Sequence, residues 1–221
     1  MYWVMGTACC AVLELFAASA GPAKIESFSY RTLSVVQTPS GELTAVTQGY
    51  FVAPDAYRED ATMSFGKIVT VRRGDEAWAA TPRGVSDLTP DQRKRTIERL
   101  YRNYVGLLWA VRDGRVEAEE TPDGPLLLRV EGLELRASFD EATGRLLELS
   151  MPGANIMGTP VTEKRVFSDF DDETNLPKRI SVLHDEEPAA EITIKSWTLN
   201  DSPAPELFER PDVPEEKERD P

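Results

Sequence analysis

Histidine and cysteine are scarce in this sequence, and their scarcity narrows the chemistry that the chain can perform. The one histidine is His184, and the two cysteines, Cys9 and Cys10, are adjacent. Zinc sites and thiol–imidazole pairs need several such residues at set spacings, so the sequence predicts neither. Neighbouring cysteines bridge only with strain, which also excludes a disulfide framework. We therefore expect no metal site and no cofactor.

Motifs for other catalytic chemistries are missing as well. The sequence has no Gly-x-Ser-x-Gly turn, no glycine-rich phosphate loop and no glycine pair at dinucleotide-binding spacing. An acidic cluster, Asp169, Asp171, Asp172 and Glu173, lacks the glycine and the distal glutamate of a calcium loop. We interpret that cluster as the solvated tip of a hairpin, and we predict that the protein is not an enzyme.

Positive charge is also in deficit, with 25 Lys and Arg against 38 Asp and Glu and a net charge of −13. Binding to nucleic acid, or docking on a surface of anionic lipid headgroups, requires a basic face, so we predict neither. Acidic residues and prolines concentrate towards the C-terminus. Residues 212–221 are therefore predicted to be a disordered acidic tail.

The most apolar stretch, residues 1–20, has two interpretations. As a signal-like segment it would end in the small residues Ala18-Ser19-Ala20, but no Lys or Arg precedes it and Glu14 interrupts it. As a structural helix it would turn Leu15 and Phe16 inward and end at Gly21-Pro22. The run is too short and too interrupted to predict a transmembrane helix.

One long amphipathic helix is predicted from residue 89 to about residue 111. Thr89 and Gln92 have the spacing of a capping box, and Pro90 suits the first helical position. Apolar residues then recur at the spacing of one helical face: Ile97, Leu100, Tyr101, Tyr104, Leu108 and Val111.

Almost all of the remaining chain reads as short strands separated by tight turns. The predicted strands are 28–37, 43–52, 57–65, 68–71, 76–81, 115–121, 126–131, 133–140, 145–151, 161–170, 177–184 and 189–199. Residues 152–160 are predicted to be a loop that exposes Ile156 and Met157. The fold class is thus mainly β with helices (α+β). Its predicted form is an incomplete antiparallel barrel, or half-barrel, whose open side the long helix covers, in one domain over residues 21–211.

A concave apolar face could hold an apolar ligand. Side chains predicted to point into it are Phe51, Tyr57, Met63, Phe65, Leu135 and Phe139, with Tyr104 and Leu108 closing it from the helix. The aromatic residues Trp78, Tyr104, Trp109 and Trp197 fit two interpretations, either the lining of such a cavity or an ordinary packed core. We take Trp78 with the predicted ligand-binding set.

Short segments, in order, resemble the outer-membrane lipoprotein carrier (LolA-like) superfamily. In the first half they are 24–28 (KIESF), 37–41 (QTPSG), Gly49, Pro54, Val71, Gly74, Trp78 and Pro82. The second half resembles the lipoprotein-sorting branch and the domain appended to some insulinase-type proteases. There the segments are 139–140, 143–144, 167–170 (FSDF), 176–177, 199–200, 207–208 and Pro211.

This resemblance implies an incomplete barrel with an apolar interior that holds acyl chains, in a periplasmic or other envelope protein. It implies a lipid or an acylated protein as the partner, and we expect a monomer. Carriers have a basic residue before the proline that opens the next strand, where this chain has Ala53. That departure argues against a shuttle loaded by a membrane transporter. The alternative is an accessory domain with a filled core that contacts a protein in the envelope, such as an insulinase-type protease.

Overall fold

The computed structural model describes residues 7–155 and 157–211, with side chains from Ala11 onward. This part of the chain forms three helices, α1 (Thr7–Ala18), α2 (Pro90–Arg102) and α3 (Tyr104–Arg112), and a short 3-10 helix, Pro205–Phe208. The strands are β1 (Ser27–Thr38), β2 (Gly41–Val52), β3 (Ala56–Met63), β4 (Gly66–Arg73), β5 (Glu76–Thr81), β6 (Gly84–Asp87), β7 (Glu117–Glu120), β8 (Leu126–Val130), β9 (Leu133–Phe139), β10 (Leu146–Ala154), β11 (Pro160–Phe170), β12 (Pro177–His184) and β13 (Glu187–Leu199).

All thirteen strands belong to one antiparallel sheet that does not close on itself. Their order is β6-β5-β4-β3-β2-β1-β13-β12-β11-β10-β9-β8-β7. The two halves of the chain join where β1 pairs with β13, while β6 and β7 form the two edges. Since α2 and α3 connect β6 to β7, this helical segment runs from one edge of the sheet to the other. The predicted class, an open antiparallel sheet with few helices, is confirmed.

The predicted single helix is wrong, because the structure contains two. Asn103 has an extended backbone, ends α2 and caps α3, its side-chain oxygen accepting from the amides of Val105 and Gly106 at 3.0 and 3.2 Å. The two helices then pack closely: a Cβ on Gly106 would lie 2.0 Å from the carbonyl oxygen of Leu100. Asn103 and Gly106 together therefore redirect the chain.

The start of α2 follows the sequence pattern in detail. Thr89 accepts from the amide of Gln92, and the side chain of Gln92 accepts from the amide of Thr89 at 2.8 Å. The predicted capping box is confirmed, with Pro90 at the first helical position.

The first helix is built into the core. Phe16 is fully buried, and its ring packs 5.5 Å from Tyr104 and 5.2 Å from Phe139. Arg112 of α3 donates to three carbonyl oxygens at the end of α1, those of Ala17, Ala20 and Pro22, at 2.6–2.7 Å. Cleavage after residue 20 would therefore remove a core side chain together with two of the three acceptors of Arg112.

The main core lies between α3, α1 and one face of the sheet, which we call the inner face. Ring contacts tie α3 to both halves of that face: Trp109 lies 4.7 Å from Phe51 of β2, and Tyr104 lies 5.4 Å from Phe167 of β11. A small second cluster, Val71, Trp78 and Phe208, is separate from this core. It holds the 3-10 helix against the sheet, where Arg58 also donates to the carbonyl of Leu207.

Several boundaries differ from those expected. Residues 152–154 continue β10 and Pro160 begins β11, so the predicted loop is shorter than 152–160. Strand β6 was not predicted. Met157 is 76% exposed, as expected, whereas Ile156 and residues 212–221 lie outside the described residues.

Candidate ligand-binding cavity

A cavity of about 210 Å³ lies between α2 and the middle of the inner face. Strand side chains alternate between the two faces, so every second residue of β1 from Tyr30 to Ser34 reaches it. In β13 an irregularity in the pairing with β1 interrupts the alternation, and Ile192, Ile194 and Trp197 reach the cavity. One wall is apolar and comes from β12 and β13; the other carries hydroxyl, carboxylate, amide and guanidinium groups. The lining residues are Tyr30, Thr32, Ser34, Thr47, Glu59, Arg99, Asn103, Arg165, Ile180, Ile192, Ile194 and Trp197.

Tyr30 forms part of the cavity wall because the strand beside it carries a glycine. Gly49 lies directly opposite Tyr30 in the β1–β2 pair. A Cβ on Gly49 would lie 2.1 Å from the Tyr30 ring, so only glycine lets the ring lie across β2. On the other side the ring packs 5.6 Å from Trp197. The Trp197 indole is itself fixed by donating to the carbonyl of Pro177 at 3.0 Å.

A buried hydrogen-bond network begins at the Tyr30 hydroxyl. This hydroxyl lies 3.1 Å from that of Tyr57, and the Oε2 atom of Glu59 accepts from Tyr57 at 2.9 Å and from Tyr30 at 3.3 Å. Burial, and then the negative charge of Glu59, raise the pKa of both tyrosines well above the usual range. Both hydroxyls therefore stay protonated and keep donating to the carboxylate.

Arg99 of α2 completes this network from the helix side. Its Nη1 atom donates to Oε1 of Glu59 at 3.0 Å. The carboxylate in turn raises the pKa of Arg99, so the guanidinium group stays charged. Glu59 is thereby held by three donors, and the contact ties α2 to β3.

A second network ties α2 to the other half of the sheet. Glu163 of β11 accepts from Arg165 at 2.7 Å and, more loosely, from Arg102 of α2 at 3.4 Å. Burial alone would raise the pKa of Glu163, but the positive charges of Arg165 and Arg102 outweigh burial and hold the pKa below its usual range. Helix α2 is thus anchored by one arginine–carboxylate contact on each side of the cavity.

A second, more open groove lies near the sheet edge, between α1 and strands β7 to β9. Its volume is about 510 Å³, and its lining includes Val12, Leu15, Leu126 and Phe139, with Glu120 and Glu141 among the polar groups. Leu15 is 40% exposed there. This groove is larger than the cavity under α2, but its lining contains no guanidinium group.

Most residues of the predicted ligand-binding set are on the inner face or on α3, but they form the packed core. Phe51, Tyr57, Tyr104, Leu108 and Leu135 are each at most 2% exposed. Phe139 packs against the same core and lines the groove beside α1. Met63 shares the face of Tyr57 at the far end of β3. None of these residues lines the cavity under α2.

Two members of that set lie elsewhere, which corrects their predicted positions. Phe65 is 64% exposed, because β3 ends at Met63 and Phe65 falls in the turn that follows. Trp78 lies opposite Val71 on the neighbouring strand, and Val71 lies opposite Arg58, so the three side chains share one face of the sheet. That face is the outer one. Tyr57, the neighbour of Arg58, points the opposite way.

The charged residues of the cavity were not assigned to a site from the sequence, although the position of Glu59 in its strand indicates a buried charge. Glu59 occupies the apolar side of the alternating run 57–65, between Tyr57 and Ala61. A carboxylate at an inward position requires a buried partner. Arg99 lies on the first helix of the predicted helical segment and supplies that partner.

Neither a metal-binding cluster nor a membrane-spanning helix is present among the described residues. Within residues 7–155 and 157–211 no three His, Cys, Asp or Glu side chains are grouped so that they could hold a metal ion. No helix in that part of the chain is long and apolar enough to cross a membrane.

Comparison with solved structures identifies the class of fold. A LolA superfamily protein from Nitrosomonas europaea matches 93% of this chain and 99% of its own length, with a TM-score of 0.62 and 14% identity. A protein of the DUF1329 family from Desulfovibrio piger matches 92% of this chain and 98% of its own length, with a TM-score of 0.59 and 11% identity.

A third similar structure carries a description close to the resemblance in the sequence. It is an outer membrane lipoprotein-sorting protein domain from Vibrio parahaemolyticus, which matches 90% of this chain and 95% of its own length, with a TM-score of 0.53 and 8% identity. No protein-family model and no curated protein matches the chain. The resemblance to the LolA superfamily is confirmed by the structures, and at these identities the likeness is one of fold.

Proposed function

We propose that the protein is a non-enzymatic envelope protein that binds a lipid or a lipoprotein acyl chain on the inner face of its open sheet. The observation that carries the proposal is the cavity under α2, whose apolar wall of Ile180, Ile192, Ile194 and Trp197 faces a polar wall. An apolar chain with a polar end matches that arrangement. The shared fold with LolA superfamily proteins supports the same reading.

The size of the cavity sets a condition on binding. Cavities that enclose small-molecule ligands usually measure about 300–1,000 Å³, whereas this one measures about 210 Å³. A long acyl chain therefore enters only if α2 moves away from the sheet. Each CH₂ group that becomes buried contributes about 0.8 kcal/mol, so a chain of moderate length can offset the loss of the contacts made by α2.

In this proposal α2 and α3 together cover the open side of the sheet, and α2 is the movable part. The segment that contains both helices already runs from edge strand β6 to edge strand β7. Helix α3 is packed tightly into the core. This supports a rival proposal, an accessory domain with a filled core that works by protein contact. The two proposals differ in whether the folded protein binds a free lipid.

The test is a titration of the protein with a fluorescent fatty acid. We expect saturable binding by the parent protein and loss of binding in Ile192→Glu, which places a charge on the apolar wall. Phe65→Glu is the matched control, because the same change falls on an exposed turn. Ser34→Phe fills the cavity without adding charge and should also abolish binding. A folded parent that binds no fatty acid would leave the accessory-domain proposal in its place.

An extracytoplasmic location is part of this proposal. It rests on the fold shared with a domain described as an outer membrane lipoprotein-sorting protein domain. Fractionation of cells that express the gene tests it: we expect the protein in the envelope fraction, and a wholly cytoplasmic product would contradict the location.

A further inference from the structure

The polar wall of the cavity has more hydrogen-bond donors than acceptors. Each arginine carries five N–H donors. Among the described residues, Arg165 uses only its Nε, towards Glu163, and Arg99 uses only Nη1, towards Glu59. The other guanidinium N–H groups of both side chains have no protein acceptor among the described residues, and both side chains line the same cavity.

The one carboxylate in the cavity wall does not satisfy these donors. Both oxygens of Glu59 are already engaged, by the hydroxyls of Tyr30 and Tyr57 and by Nη1 of Arg99. Its negative charge is thus matched inside the wall. Glu163 is likewise shared between Arg165 and Arg102. A ligand that supplies acceptor oxygens would pair with these guanidinium groups, and the hydroxyls of Thr32, Ser34 and Thr47 can also donate to it.

The position of the two arginines relative to the apolar wall limits the shape of such a ligand. Arg165 lies on β11, and Ile180 and Ile192 follow on β12 and β13, so the charged and apolar walls are adjacent. A single-chain amphiphile places its tail and its head across such a boundary. Guanidinium groups bind carboxylate and phosphate oxygens through two parallel hydrogen bonds.

From this geometry we infer that the natural ligand is an amphiphile with an anionic head, a carboxylate or a phosphate, and that Arg165 and Arg99 bind that head. The inference rests on the proposed function and adds the class of headgroup. The chain as a whole has a net charge of −13, so the attraction for an anion is local to the cavity. Neutral amphiphiles of the same chain length should bind more weakly.

The test compares three decyl compounds by isothermal titration calorimetry at pH 7, below the critical micelle concentrations of the two anions and the solubility limit of the alcohol. Decanoate and decyl phosphate carry the two candidate heads, and decanol is the neutral control. We expect both anions to bind at least about tenfold more tightly than decanol, as for a charge-assisted hydrogen bond. The anion with the higher affinity identifies the source of the head, a fatty acid or a phospholipid.

Variants of Arg165 and Arg99 test whether these residues cause the preference for anionic amphiphiles. Arg165→Gln should reduce the affinity for the anions about tenfold and leave the affinity for decanol unchanged. Arg179→Gln is the matched control, because Arg179 is exposed on the outer face of neighbouring strand β12 and loses the same charge. Arg99→Gln tests the same prediction from the helix side, should Arg165→Gln fail to fold. Thermal melting checks the fold of each variant.

The outcomes separate this inference from the proposed function. Equal affinities for decanol and the anions, all lost in Ser34→Phe, would overturn the anionic head and retain the apolar cavity. An anion preference that survives in both arginine variants would overturn the assignment of Arg165 and Arg99. No binding of any decyl compound by the folded parent would overturn the proposed function, and the inference with it.

Discussion

Helices α2 and α3 are consecutive in the chain, yet they are held to the protein by different forces. In α3 the seven residues from Tyr104 to Ala110 are all buried, whereas α2 buries only Thr96, Leu100 and Tyr101. Leu100 and Tyr101 of α2 belong to the main core, and two arginines add contacts to the sheet, Arg99 to Glu59 and Arg102 to Glu163. Helix α3 is therefore a core element, and helix α2 is anchored at the surface of that core.

This difference has an energetic consequence. Burying a large apolar side chain contributes about 1.5–3 kcal/mol, and α3 buries several. Helix α2 buries fewer such side chains, and the more exposed of its two ion pairs with the sheet, Arg99–Glu59, contributes about 0–1 kcal/mol because water competes for both charges. Separating α2 from the sheet should therefore cost less than separating α3, which buries more apolar side chains. If the inner face opens to a ligand, α2 is the element that moves.

The largest expected effect comes from a charge placed in α3. Leu108→Asp buries a carboxylate without a partner and should lower the free energy of unfolding by about 4 kcal/mol or more. Ile97→Asp makes a similar change on half-buried α2 and should cost about 1–2 kcal/mol. Urea denaturation measures both. Equal losses in the two variants would remove the distinction between the helices.

Truncation of the Phe16 side chain, on helix α1, should have the next largest effect on stability. Phe16 is fully buried against Tyr104 and Phe139, so Phe16→Ala should cost about 3–5 kcal/mol. Leu15→Ala is the control and should cost less than about 1 kcal/mol, because Leu15 faces the open groove. If Phe16→Ala melts like the parent protein, α1 is not part of the stable core.

Removing one anchor of α2 should have a smaller, pH-dependent effect. The pKa of Glu163 is lowered in the folded state, so its carboxylate stabilises the fold above its ordinary pKa of 4.5 and loses that contribution as the pH falls below it. At pH 7, Glu163→Gln should cost about 1–3 kcal/mol.

The pH dependence supplies the control for that variant. Between about pH 5 and pH 3 the parent should lose stability more steeply than Glu163→Gln, because only the parent must protonate this carboxylate. Urea midpoints measured across that range provide the comparison. Parallel curves would contradict the paired, ionised state of Glu163.

The smallest expected effect concerns the cap of α2. Thr89→Ala removes the hydroxyl that accepts from the amide of Gln92 and should cost about 1 kcal/mol. Thr89→Ser retains the hydroxyl, so its free energy of unfolding should lie within a few tenths of a kcal/mol of that of the parent protein. A neutral Thr89→Ala would mean that the start of α2 is already frayed.

Local patterns predicted the elements of this fold, because they depend on residues close in sequence. The capping box at Thr89 and the alternation in β3 and β9 are of this kind. The break at Asn103 was missed because apolar spacing continues through it, from Leu100 to Tyr104 and Leu108. Asn103 and Gly106 were the available signals, an N-cap residue and a glycine inside a predicted helix.

The candidate site was less predictable than the fold, since large apolar residues do not distinguish a lining from a core. Leu108 and Phe51 fill the interior, and the cavity remains where smaller residues such as Ser34 and Thr47 face α2. Its polar wall depends on Glu59 of β3 meeting Arg99, 40 residues later in the chain. No local pattern encodes such a contact.

The account predicts that a lipid binds between α2 and the strands β12 and β13, and photochemical cross-linking tests this most directly. A fatty acid with a diazirine on its chain would be irradiated with the full chain, and the labelled peptides would be identified by mass spectrometry. We expect saturable labelling within Pro177–His184 and Glu187–Leu199, reduced by excess decanoate and absent in Ser34→Phe. Labelling confined to the groove between α1 and strands β7 to β9, or no saturable labelling, would contradict the account.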